Sequence, residues 1–119
     1  MKTENIIQGK TFDFAVRVVK LYKYLCDEKR EFVLSKQILR SGTSIGANVE
    51  ESIGGQSDKD FLAKVTVAYK EARETVYWLK LLHATDYLNK EQVESLLIDA
   101  NEICKILTKI QLTLKKRIV

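Results

Sequence analysis

Apolar residues recur along this chain at three- and four-residue spacing in four successive stretches, the period of a helix face. The first stretch puts Ala15, Val18, Val19, Tyr22, Leu25 and Cys26 on one side. Phe12 extends that stripe, Phe14 and Leu21 flank it, and Arg17, Lys20 and Lys23 lie opposite. The second runs from Phe32 and Leu34 to about Ile53 and aligns Ile38, Ser41, Ile45 and Val49. The third carries Phe61, Val65, Ala68, Ala72, Val76, Leu79 and Leu82. The fourth is the cleanest, with Val93, Leu96, Leu97, Ala100, Ile103, Cys104, Leu107, Ile110 and Leu114. The spacing predicts helices near 11–27, 33–53, 58–86 and 90–117, after a polar, frayed start over residues 1–10. Local signals agree. Ser57 or Asp58 suits an N-cap, Asn89 with Gln92 resembles a capping box, and Gly54-Gly55 is placed to end a helix in left-handed geometry. Ser35 is a further cap candidate. Four amphipathic helices on short connections predict an all-α fold, an up-down-up-down antiparallel four-helix bundle in one domain over residues 1–119.

The stretch from Arg40 to Gly55 is unlike the rest, being rich in small residues. Beside the Ile38–Ser41–Ile45–Val49 face, a second face carries Arg40, Ser44, Asn48 and Glu51, with Gly42, Gly46 and Ala47 between them. A glycine inside a helix costs roughly 1 kcal/mol relative to alanine, so a close backbone approach is expected there to compensate. The polar face has two readings. In one, Arg40 pairs with a carboxylate while Ser44 and Asn48 hydrogen-bond across a tight helix contact; in the other, the stripe touches a ligand or RNA. The interleaved glycines favour the first.

Composition narrows the chemistry. Of 119 residues, 45% are hydrophobic and 30% charged, a globular balance, and no proline interrupts the helices. His83 is the sole histidine, so multi-histidine zinc sites and Ser-His or Cys-His nucleophiles lack partners. Glu71 and Glu74 lack the Glu-x-x-His companion of di-iron bundles. No catalytic residue, metal or cofactor is expected. Cys26 and Cys104 fall at different heights of the proposed bundle and read as two reduced thiols. With no apolar run of signal-peptide or membrane-span length, a soluble cytoplasmic protein is expected. The formal net charge of +4 permits an anionic partner without demanding one. From Lys105 to Val119 there are cations and no acid. In the expected topology Lys10, Arg17, Lys20 and Lys23 approach Lys109, Lys115, Lys116 and Arg117, a candidate RNA- or DNA-binding patch of electrostatic character.

The segment RSGTSIGANVEES, preceded by SKQIL and followed by KDF at Lys59 to Phe61, resembles a known bacterial family, as does ARETVYWLKLL at Ala72 to Leu82. It comprises small four-helix-bundle proteins encoded within intervening sequences of 23S ribosomal RNA genes. The resemblance covers Phe12 to about Lys116 and rests on the Arg-Ser-x-x-Ser-Ile-x-x-Asn-x-x-Glu pattern from Arg40 to Glu51. It departs at Gly46 and Glu51-Ser52, where many members have other residues. The resemblance implies a homo-oligomer, commonly a pentamer, with a basic surface. A relative of the family is the accessory protein of reverse transcriptases in diversity-generating retroelements. Extra apolar positions at Phe14, Leu39, Leu62, Tyr69 and Trp78 also point to self-association, the alternative being a dimer through the small-residue face of the second helix. Two function classes follow: a nucleic-acid-binding scaffold, or an assembly module for a protein partner.

Overall fold

The computed structural model describes the backbone of residues 2–118 and the side chains of residues 6–118. Four helices make it up: α1 (Lys2–Asp27), α2 (Leu34–Ile53), α3 (Asp58–Ala84) and α4 (Lys90–Ile118). Each packs on its two neighbours in an up-down-up-down bundle of 48 × 21 × 20 Å. The α1–α4 seam is the least closely packed of the four. The chain is therefore the expected four-helix bundle, with no strand among the described residues.

The caps follow local chemistry. The Ser57 side chain accepts the Asp60 N–H at 3.1 Å, opening α3. Asn89 and Gln92 form a reciprocal capping box, each side-chain oxygen accepting the other's backbone N–H at 2.9 and 2.8 Å. Two ends differ from expectation. No glycine has positive φ, and Gly54 ends α2 at φ −79°. Gly55 is small for a different reason: a Cβ there would stand 3.0 Å from the Ser52 carbonyl oxygen. The left-handed residues are instead Arg30 (φ 52°) and Asp86 (φ 69°), in the other two connections.

At the start of α2 the cap is a carboxylate rather than Ser35. Glu31 is buried, its oxygens accepting the N–H groups of Val33 at 3.2 Å and Ser35 at 2.7 Å, while the Ser35 hydroxyl donates to the Glu31 carbonyl at 2.8 Å. Burial alone would raise this carboxyl, but the hydrogen bonds from Ser35, Leu34 and Val33 outweigh it and hold it below the ordinary 4.5. A depressed folded value means stability that is present above about 4.5 and lost as pH falls through the folded value. Glu31→Ala is expected to cost about 0.5–2 kcal/mol at neutral pH, and the gap from the parent should narrow at about pH 3. Urea melts at the two pH values check this; an equal gap at both would rule out the charged cap.

The core along α1 is Ile7, Thr11, Phe14, Val18, Leu21 and Leu25, which shares only Val18 and Leu25 with the stripe the apolar spacing suggests. Phe12 is 69% exposed and Val19 37%. Thr11 hides the true stripe because it reads as polar, yet its hydroxyl donates to the Ile7 carbonyl at 2.8 Å and can therefore be buried. With Ile7 also buried, α1 extends back to Lys2, well ahead of the expected start. Similarly, Thr75 rather than Val76 enters the core of α3. Its hydroxyl lies 2.9 Å from Ser41 Oγ and donates to the Glu71 carbonyl at 2.8 Å. Among the described residues no buried side-chain polar atom lacks a partner.

Candidate nucleic-acid interface

The small-residue segment lies inside the bundle. Ile38, Ser41, Ile45 and Val49 are buried as expected. A Cβ on Gly42 would stand 2.7 Å from both Val18 methyls, and one on Gly46 would stand 3.3 Å from the Thr11 carbonyl oxygen. Both glycines thus pack against α1 of the same chain, Gly42 against the Val18 side chain and Gly46 against the Thr11 backbone.

The polar stripe faces α3. Arg40 donates to Glu71 at 3.1 Å and also pairs with Glu74, whose carboxylate accepts the Trp78 indole N–H at 2.9 Å. Lys64 lies 3.4 Å from Glu51. Ser44 and Asn48 do not bridge helices: Ser44 Oγ donates to the Arg40 carbonyl at 2.6 Å and Asn48 Nδ2 to the Ser44 carbonyl at 2.8 Å. Polar side chains at four-residue spacing can reach their own helix, and here they do.

The expected basic patch is divided. Arg17 donates to Asp99 at 2.5 Å and to Ser95 Oγ at 2.8 Å, and Lys10 pairs with Glu102, so these two cations close the α1–α4 seam. Lys20 shares a groove of about 550 Å³ with Arg17, Tyr24, Glu91 and Gln92, where signs are mixed. Lys23 is exposed on the same helix. From Ser95 to Lys115 along α4 is about 30 Å at 1.5 Å per residue, so Lys109, Lys115, Lys116 and Arg117 stand far from Arg17. Antiparallel pairing does bring the start of α1 toward the end of α4, but Arg17 lies too far along α1 to share it. Of the four, Arg117 faces Asp58 at 3.7 Å. The other three make no ion pair among the described residues.

The residues that sequence reasoning missed lie between α3 and α4. A groove of about 610 Å³ is lined by Tyr69, Arg73, Val76 and Lys80 of α3 and by Asn101, Cys104, Lys105 and Thr108 of α4. It contains no acid, and Arg73, Lys80 and Lys105 make no ion pair among the described residues. The Tyr69 hydroxyl accepts from Arg73 Nη1 at 3.2 Å. Burial pushes the Cys104 thiol up, against the smaller pull of Arg73, so the floor is a neutral thiol. Lys105, Lys109 and Lys116 share one side of α4 at four- and seven-residue spacing, with Glu102, the partner of Lys10, at the head of that row. Reading each helix alone could not find this groove, because two of its three cations come from α3 and the third from α4.

No group of metal-ligating side chains occurs among the described residues, and no described helix is long and apolar enough to cross a membrane. Both cysteines are free and half-buried.

A four-helix bundle whose second hairpin carries a groove lined by cations and no acid is thus the class of molecule in hand. The chain belongs to the 23S rRNA-intervening sequence protein family, whose model matches residues 3–109. It is 53% identical to a protein of unknown function from the S23 ribosomal protein family of Bacteroides thetaiotaomicron VPI-5482, determined as a crystal structure. The match covers 92% of this chain and 97% of that one, with a TM-score of 0.91. Neither description names a catalytic activity. No curated protein matches the chain.

Proposed function

We propose that the protein is a non-catalytic, self-associating scaffold that holds RNA or DNA by phosphate contacts, weakly per subunit and without sequence preference. The observation that carries this is the α3–α4 face, where Arg73, Lys80, Lys105, Lys109, Lys115 and Lys116 make no ion pair among the described residues, against the mixed and mutually neutralised charges of the α1–α4 seam. Unpaired surface cations gain by releasing counterions from a polyanion, whereas paired ones must first break a contact. Self-association is supported by a second surface. Phe12, Val16 and Val19 are exposed at four- and three-residue spacing on the outer side of α1, away from the basic face. Phe14, by contrast, is buried, and Leu39, Leu62, Tyr69 and Trp78 are half-buried, so they do not supply that surface. A homo-oligomer, with the pentamer as first choice, presents several copies of the basic face, and avidity raises the weak single-site affinity by about 10²–10⁴.

Fluorescence anisotropy with labelled RNA and DNA across a salt series tests it, with light scattering on the same samples. The expected result is a species larger than the 13.7 kDa monomer whose binding falls log-linearly with salt, at a slope of about −0.7 per single-strand phosphate contact. Lys109→Glu/Lys115→Glu/Lys116→Glu should flatten that slope. A clean monomer would remove the scaffold, and no binding at low salt would remove the nucleic-acid role. Binding absent with the oligomer intact would instead favour an assembly module for a protein partner.

A further inference from the structure

We propose that the α3–α4 groove seats a single-stranded stretch of nucleic acid, its phosphates among Arg73, Lys80 and Lys105 and a base against the floor of Val76 and Cys104 beside Tyr69. This rests on the nucleic-acid reading above and adds to it where the strand lies and in which state. The groove at about 610 Å³ falls within the roughly 300–1,000 Å³ typical of ligand clefts. Its charge is of one sign, which selects an anion; its floor is apolar, which selects an anion with a flat or greasy part. A duplex offers phosphates outward and keeps its bases stacked inside, so it has nothing to place on such a floor. An unpaired strand can turn a base out, and non-specific single-strand sites combine a cationic track with an aromatic wall in this way. From Tyr69 to Lys80 the wall runs about 16 Å at 1.5 Å per residue, room for a short segment lying along the helices. The neighbouring α1–α4 groove is nearly as large, at about 550 Å³, but Glu91 lines it and Arg17 is already held by Asp99. Size therefore does not distinguish the two grooves, whereas charge does.

Cys104 makes the proposal testable on the folded, assembled protein. In a Cys26→Ser background, N-ethylmaleimide modification of Cys104 is followed by mass spectrometry with and without an unlabelled oligonucleotide. Bound single-stranded RNA or DNA should slow the reaction by about tenfold when free ligand is about ten times its Kd. Duplex at equal phosphate concentration, and polyglutamate as an acidic polypeptide, should leave the rate unchanged. Lys80→Glu/Lys105→Glu, both at exposed positions, should keep the helical circular-dichroism spectrum and lose the protection. Anisotropy binding without protection would place the strand elsewhere and overturn the groove while sparing the general reading. Equal protection by duplex or by polyglutamate would overturn the choice of single strand. No anisotropy binding at low salt would overturn both readings.

Discussion

Ile45→Asp is expected to leave the chain without a cooperative folding transition at neutral pH. Ile45 is fully buried in the bundle core, and the stability of a chain of this size is typically about 5–15 kcal/mol. Replacing it loses an apolar side chain worth about 2–3 kcal/mol of burial and places a carboxyl in the apolar core. The total, above about 4 kcal/mol, belongs to the exceptional class of single substitutions. The loss has a pH signature. Burial raises the introduced carboxyl above its unfolded value of about 3.9, so the charge penalty is absent below that pH and grows as pH rises above it. Urea unfolding followed by far-ultraviolet circular dichroism would read both effects. A variant that melts within about 1 kcal/mol of the parent would mean that Ile45 is not in a packed core.

Gly42→Leu should cost about 3 kcal/mol, the upper end for an overpacked core, although leucine is the better helix former. The first added carbon would already stand 2.7 Å from both methyls of Val18, a buried β-branched side chain with little rotamer freedom to move aside. Relief requires α1 to separate from α2, and the Gly46–Thr11 approach just along the same seam resists that. Gly9→Ala supplies the opposite sign. Gly9 is also helical, but nothing lies within 4 Å of its missing Cβ, so alanine there should stabilise by about 0.5–1 kcal/mol. Thermal melts of the two variants against the parent compare them directly. If both shift the same way, intrinsic helix preference rather than α1–α2 packing governs the glycines.

The sequence by itself determined the number of helices, most of their ends and the bundle class. Those depend on near neighbours: a 3.6-residue period, a serine three residues before the N–H it accepts at Ser57, and the reciprocal Asn89–Gln92 pair. It also favoured a carboxylate partner for Arg40 and close packing against the glycines of α2, since an uncompensated helical glycine is costly wherever it falls; that Gly42 meets the Val18 side chain rather than a backbone was not legible there. Only the tertiary structure decided which of two apolar faces of α1 turns inward. Phe12, Val16 and Val19 are as apolar as Phe14, Val18 and Leu21, and Thr11 breaks the better stripe for any reading by polarity. Its hydroxyl returns to its own helix, so the cost of burying it vanishes in a folded helix and is invisible in a list of residue types. The same holds for Thr75 against Ser41. Charge followed a similar rule. A count of cations treats Arg17 and Lys105 alike, but Asp99 reaches one and no acid lines the groove beside the other. Whether a cation is free to meet a partner depends on which helix packs beside it, and that is a property of the assembled bundle rather than of any stretch of chain.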